Sequence, residues 1–335
     1  LAAWCRENRP ELTRLFELVQ EYRRWGKIKG TYLDGYLRHI HSATGRIHPD
    51  LMPLGTETGR FAARNPNLQN MPRKGSDPIG IRNMLVAPEG YQVMELDYSQ
   101  IELRVGAFYC RDARMLETYR GGGDIHAQTT SVIYNIPIEQ AADKSAAEYK
   151  DRRAIAKGCN FGCFYGLFPK GLQRTLKFKA GLDTPLAEGE KIIANLKAGY
   201  PQLSLWQEVV KRQAKVRRYS ETWLGRRRYL PGIVSDDWGK KSFAERCAMN
   251  TPIQGTAADI LKMAMARLVV ELPEYPWIVP VLTVHDSLVF YVAEEKVQEA
   301  GVLIKGLMER QPFPEFDVPL VAEVATGTNY GELDE

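Results

Sequence analysis

Two β-rich runs near the end of the chain, IVPVLTV at 278–284 and LVFYV at 288–292, are separated only by His285-Asp286-Ser287. So short a connection leaves the second run no course except back along the first, as an antiparallel hairpin. A third such run, YQVMEL at 91–96, lies far earlier and stops at Asp97, and a further short strand is expected around 318–324. Between them, 99–120 and most of 138–269 read as helix, with interruptions at 121–123, around 181–185, at 200–201 and through 231–232. Strands early and late with helices between them predict an α+β fold. A sheet platform is built from both ends of the chain and carries a large helical insertion.

Near the start, Leu12, Leu15, Phe16, Val19, Tyr22 and Trp25 recur at helical spacing after Pro10, which predicts a long amphipathic helix. The 43–74 stretch is rich in Gly, Pro, Asn and Thr and reads as loop or short strand carrying ligand-binding side chains. With 335 residues, the prior of roughly 100–200 per domain suggests about two domains. A composition of 44% hydrophobic and 26% charged residues excludes global disorder. There is no apolar run of about 18 residues and no basic-then-apolar leader, so a soluble protein that is not secreted is expected. The 5 cysteines have no C-x2-C spacing, which argues against a disulfide framework or structural zinc and suits a reducing compartment. Cys159 and Cys163 share a helix face and are expected to pack. The net charge of +4 permits an anionic partner without requiring one. Locally, 211–230 holds eight Lys or Arg against the single acid Glu221, which fits either a phosphate partner or a solvated face.

Asp97 ends one strand and Asp286 lies in a hairpin turn. If those strands are neighbours, both carboxylates project from one rim and can hold two Mg²⁺ about 3.5–4 Å apart for phosphoryl transfer. Each can equally be an ordinary turn residue. Arg153, Lys157, Phe161 and Tyr165 recur every four residues, making a stripe of cation, cation, aromatic, aromatic. Such a stripe suits a nucleoside triphosphate, with phosphates on the cations and sugar and base on the rings. The alternative is a solvated basic end running into a buried aromatic one.

In order, TGRFAARNPNLQNMP, LDYSQIELR, RxxxKxxxFxxxYG at 153–166, GRRRYLP, NTPIQGTAAD and VHD closely resemble the family A, DNA polymerase I-like, DNA polymerases over nearly the whole chain. The resemblance implies an antiparallel-sheet palm with a helical fingers insertion, of bacterial or phage origin. Residues 1–42 would be a truncated helical thumb base, 43–106 and 255–335 the palm, and 107–254 the fingers. Asp97 and Asp286 become the metal-binding carboxylates, helped by the carbonyl of Tyr98, and Lys157 becomes catalytic. Arg153, Lys157 and His126 would grip the triphosphate, with Gln100 also at the nucleotide. Phe161 would pack on the sugar and Tyr165 would lie at the templating position or near the nascent pair; a core role stays open for either ring.

Glu102 would block a ribose 2′-hydroxyl, while Ser99-Gln100-Ile101-Glu102 also fits a capping box. Arg60, Asn67, Gln69, Asn250, Gln254 and His285 would contact primer, template or the minor-groove edge of the new pair. The implied cofactors are two Mg²⁺, and the partners are primer-template DNA and dNTPs, with no membrane. A monomer is implied, and a processivity factor is left open. The implied location is the cytoplasm, at a bacterial nucleoid or in a host cell. One departure is Ser287, where the family usually has a glutamate; a third carboxylate is absent there, which bears on the primer-side ion. A non-catalytic primer-template binding fragment remains an alternative, as does a single-subunit RNA polymerase-like enzyme, although Glu102 and DYSQIELR oppose the latter. The first residue, Leu1, suggests a piece of a longer protein. With most of a thumb missing, it is expected to bind dNTP weakly and extend primers distributively.

Overall fold

The computed structural model describes residues 2–72, 75 and 77–333. Its centre is a four-stranded antiparallel sheet of β1 (Tyr91–Tyr98), β2 (Ile278–Val284), β3 (Ser287–Ala293) and β4 (Ala322–Gly327), in the order β2-β3-β1-β4. The early and late strands therefore do meet, and the α+β expectation holds. In the β1–β3 pairing Asp97 lies opposite Ser287 and Tyr91 opposite Ala293. Both faces of the central strands β1 and β3 are covered, which is why they read as nearly continuous apolar runs, whereas edge strand β2 is exposed at 279–281 and edge strand β4 at 323–324 and 326. Met94, Leu96, Leu288, Phe290 and Val292 enter the main core, while Val93, Val289 and Tyr330 enter a second cluster on the other face. β1 continues one residue past Asp97 to Tyr98. β4 begins later than expected, because Val318 and Leu320 are buried in an irregular approach to the sheet.

The helices in chain order include α1 (Pro10–Lys27), α2 (Ile101–Cys110), α3 (Ala113–Arg120), α4 (Ile125–Tyr134), α5 (Tyr149–Cys163), α6 (Pro201–Arg217), α7 (Trp238–Glu271) and α8 (Val297–Glu309). α1 forms where its periodicity predicts, yet none of its residues is buried, and Leu15, Leu18, Val19, Tyr22 and Trp25 all face solvent. The expected single helix over 99–120 is two. Arg111 takes a left-handed φ of 56° and Asp112 opens α3 by accepting from the Arg114 N–H at 3.2 Å.

After α6 the chain folds as a short ribbon, Tyr219–Glu221 against Arg227–Tyr229, rather than as more helix. This changes the basic 211–230 segment. Lys211 pairs with Glu208, Lys215 with Glu245, Arg217 and Arg227 with Glu221, Arg226 with Asp259 and Arg228 with Glu57. Most of the local charge that looked uncompensated in sequence is therefore matched by acids from elsewhere in the chain. The exposed pairs among these hold for only about 0–1 kcal/mol, whereas Arg226–Asp259 is buried at its acid.

In the main core, Phe164 is 2% exposed and its ring lies over Gly106, where a Cβ would come within 2.3 Å of it. Burying that ring contributes about 1.5–3 kcal/mol, and only glycine lets α2 approach so closely. All five cysteines are free and buried. Cys159 and Cys163 pack as expected, and burial pushes the Cys159 thiol up to about 12. Among the described residues no helix is long and apolar enough to cross a membrane.

Candidate active site

The β2–β3 hairpin turns through two residues, His285 and Asp286, with the positive φ at His285 (55°) that tight hairpin turns place at their first position. The Tyr98 N–H donates to the Asp286 carbonyl at 3.4 Å. Asp97 and Asp286 thus stand at adjoining ends of paired strands, Asp97 exposed and Asp286 partly so. The Tyr98 ring is in the core, its hydroxyl donating to the Met308 carbonyl at 2.6 Å, so only the backbone of Tyr98 reaches the rim.

A loop from the first part of the chain brings Arg60 to this rim. Gly59 has φ 81°, and a Cβ there would meet the Arg226 guanidinium at 2.6 Å. Arg226 is anchored in turn on Asp259 of α7, which is 4% exposed. From that seat Arg60 Nη2 donates to Asp286 Oδ1 at 3.0 Å and also to Glu102. Burial pushes the Asp286 carboxyl up from its ordinary range and Glu102 adds to this, while Arg60 opposes it.

Glu102 does not cap a helix. The residue ahead of α2 is Gln100, left-handed at φ 57°, with no side-chain cap, and Glu102 instead accepts from Arg60, from the Tyr165 hydroxyl and from Gln254 Nε2 at 3.3 Å. Arg60, Tyr165 and Gln254 thus converge on Glu102, Arg60 bonding Asp286 as well, and Asn250 Nδ2 stands behind them, donating to Gln254 Oε1 at 3.4 Å. The Gln100 side chain is used locally: its Oε1 accepts from the Tyr119 hydroxyl at 3.2 Å.

α4 and α5 supply the second half of the site. Asp124 caps α4, accepting from the His126 N–H at 2.8 Å, and also receives Arg153 of α5. Burial pushes the Asp124 carboxyl up, but Arg153 and the His126 N–H outweigh this and hold it below its ordinary range. His126 is 5% exposed, and burial lowers its pKa to about 4, with Arg153 and Lys157 acting in the same direction. Asn160 Oδ1 accepts from Thr129 at 2.8 Å, so its amide donates to His126 Nδ1 at 2.8 Å. A neutral His126 that accepts at Nδ1 carries its proton on Nε2, as a donor.

Lys157 and Phe161 are exposed one turn apart. Tyr165 is not the fourth member of a helical stripe. α5 ends at Cys163, and Tyr165 lies in the turn beyond it, bonded to Glu102. Gln69 is buried and donates through Nε2 to the Thr283 carbonyl at 3.0 Å, bracing β2, while exposed Asn67 accepts from the Gln69 N–H at 3.0 Å. His285 is exposed at the tip of the turn.

Sequence reading gave no role to Asp124, Asn160, Arg226 or Asp259, although Arg226 and Asp259 lie inside the GRRRYLP and NTPIQGTAAD strings. Asp124 was legible as a cap two residues before His126, whereas the other three are defined only by partners distant in sequence.

A model of DNA polymerase family A matches residues 7–332. The chain belongs to that family. It is 38% identical over 328 residues to the thermostable DNA polymerase I of Thermus filiformis, covering 96% of this chain and 37% of the relative. It is 37% identical over 317 residues to DNA polymerase I of Pseudomonas aeruginosa, covering 94% and 33%. The solved POL domain of Pol1 from M. smegmatis, in complex with DNA primer-template and dNTP, superposes with a TM-score of 0.84 at 31% identity, over 99% of this chain and 56% of that one. This family A chain spans about a third of the length of these curated relatives.

Proposed function

We propose that this chain carries the polymerising centre of a template-directed DNA polymerase, in which a primer 3′-hydroxyl attacks the α-phosphate of a dNTP and pyrophosphate leaves. The observation that carries this reading is an order of charges. The Tyr165–Glu102 bond ties the C-terminal end of α5 to the carboxylate rim, and from there Phe161, Lys157 and Arg153 follow back along the helix toward His126. A nucleotide with its α-phosphate at the rim and its outer phosphates on α5 meets each group in turn.

The rim suits divalent cations. Asp97, Asp286 and the Tyr98 carbonyl are hard oxygen donors, and Asp286 already faces the guanidinium of Arg60. Among the described residues no group of three or more His, Cys, Asp or Glu is placed to hold a metal ion; a magnesium ion held by two carboxylates would take its remaining ligands from phosphate and water. When bound, two Mg²⁺ supply Lewis acidity at the attacking hydroxyl and neutralise charge on the leaving pyrophosphate. Asp97 and Asp286 hold them, with the Tyr98 carbonyl.

Lys157 and Arg153 bind phosphate oxygens, Arg153 exchanging Asp124 for phosphate. His126 donates from Nε2 without needing a positive charge. Phe161, already exposed, packs on the sugar, Glu102 excludes a 2′-hydroxyl, Gln100 lines the nucleotide side, and Tyr165 stands beside the nascent pair. Arg60, Asn67, Asn250, Gln254 and His285 form the primer-template side, with buried Gln69 bracing β2 beneath them, and minor-groove acceptors common to all base pairs let the polar groups test pair shape. In this reading 43–106 and 255–335 form the palm, 107–254 the fingers and 1–42 the thumb base, and the protein works as a monomer on DNA in the cytoplasm.

The test is primer extension with Mg²⁺ on templates that differ in the first unpaired base. Addition of the complementary dNMP alone is expected. Binding of primer-template without extension overturns the reading, and preference for ribonucleotides replaces it with RNA synthesis.

A further inference from the structure

Ser287 follows Asp286 and lies directly opposite Asp97 in the β1–β3 pairing. It is 2% exposed, and its hydroxyl sits between Glu95 Oε1 at 2.5 Å and the Val284 carbonyl at 3.0 Å. Val284 and Ser287 are the pair that flanks the two-residue turn. The Thr283 hydroxyl adds a bond to the Ser287 carbonyl at 3.1 Å, and Tyr330 donates to the same oxygen of Glu95 at 3.1 Å. Glu95 precedes Asp97 by two positions on β1, so both lie on one face of the sheet, about 7 Å apart along the strand.

Nothing in the packing calls for a carboxylate at 95. Val93 on the same strand and Val289 opposite Glu95 are both in the apolar cluster of that face. A carboxylate against such a surface costs desolvation unless its bonds return something. What these bonds fix is the turn. The single proton of the Ser287 hydroxyl goes to Glu95, the shorter contact, and ties the end of the turn to the strand that carries Asp97; the Val284 carbonyl is its second, longer acceptor.

We propose that Glu95 is a positioning residue for the metal-holding carboxylates. Acting through Ser287, it fixes the turn that bears Asp286 and so sets the spacing between Asp286 and Asp97. This rests on the rim being the polymerase metal site. The phosphate-binding groups Arg153, Lys157 and His126 stand on other elements, so loss of Glu95 weakens cation binding and the chemical step while leaving the apparent dNTP KM near its original value. Groups that hold ligands in place around a metal typically change affinity ten- to hundredfold, and about tenfold is expected here.

The experiment measures Mn²⁺ affinity by electron paramagnetic resonance on the whole chain, beside thermal unfolding and single-nucleotide extension. Glu95→Ala should lose about tenfold in Mn²⁺ affinity. Glu95→Gln keeps an oxygen that accepts from Ser287 and should stay within about twofold of the original. Ser287→Ala should match Glu95→Ala, and the double variant should be no worse than either single one, because both sit on one path. Unchanged Mn²⁺ binding in Glu95→Ala, equal losses in Glu95→Ala and Glu95→Gln, or additive losses in the double variant would each overturn the proposal. If Glu95→Ala does not fold, Ser287→Ala, which removes a single oxygen, and Glu95→Gln decide it. An original chain that binds Mn²⁺ as described but extends no primer counts against polymerisation and not against Glu95, whereas one that binds no Mn²⁺ counts against Glu95.

Discussion

The rim of the sheet and the α4–α5 face opposite it hold their charges in different ways. On the rim, Arg60, Glu102 and Asp286 have side-chain exposures of only 24%, 19% and 27%, and each group bonds to the next. On the helical side Lys157 is exposed, Phe161 is 59% exposed, and Arg153 has its ion pair with Asp124. The rim is organised before any ligand arrives, its positions set by backbone pairing. Lys157 and Phe161 are held lightly, whereas Arg153, at a side-chain exposure of 27% equal to that of Asp286, is held by the half-exposed Asp124, and His126 is buried against Asn160. In the proposed function, the rim would set where chemistry happens, and the exposed Lys157 and Phe161 would follow the substrate.

If that division is right, the rim should tolerate substitution least. Asp97→Asn or Asp286→Asn should lower extension about a thousandfold or more, because several kcal/mol of charge stabilisation leave with the metal. The melting temperature should change little. Retention of more than a tenth of the activity in either variant would break the comparison. Lys157→Ala should lower kcat/KM about a hundredfold, through both parameters, since its cation acts on ground-state and transition-state phosphate charge. A dNTP titration identical to the original would remove α5 from the site.

A third expectation concerns pH. Unfolded His126 protonates near 6.5 and folded His126 near 4, so between these values the unfolded chain binds more protons and stability is lost as pH falls. Between pH 7 and pH 5 that loss is about 2 kcal/mol, and His126→Gln should remove it; denaturation curves at the two pH values measure the difference. A smaller effect sharpens the comparison from the rim side. Glu102→Ala should raise ribonucleotide incorporation about tenfold, roughly 1.4 kcal/mol of discrimination. Unchanged selectivity would leave Glu102 as a partner of Arg60 and Tyr165 alone.

The backbone of the rim was legible in sequence because it depends on local signals: β-rich runs, an aspartate at a strand end and a short connection, read as His285-Asp286-Ser287, which the structure shortens to two residues because Ser287 already pairs with Val284. The wiring of the rim was not. Arg60 finds Glu102 across 42 residues and Asp286 across 226, separations that no periodicity records. Local signals also misled. Ser99 and Glu102 have capping-box spacing, but the left-handed Gln100 and three competing donors draw Glu102 away. The break at Arg111 has no glycine to announce it, and the 219–229 ribbon has strands of three residues, too short for an alternation to register. Arg153, Lys157 and Phe161 do share one helix, as the four-residue spacing predicts, whereas Tyr165 lies beyond its end.

The most direct measurement of the central claim is a crystal structure of this chain with primer-template DNA, a 3′-deoxy primer end, Mg²⁺ and the complementary dNTP. The rim and helix should then meet across one nucleotide. Its α-phosphate should lie beside Asp97 and Asp286, with its outer phosphates on Lys157, His126 and an Arg153 that has left Asp124. A triphosphate bound away from α5, or with no contact to the two carboxylates through metal, would contradict the account.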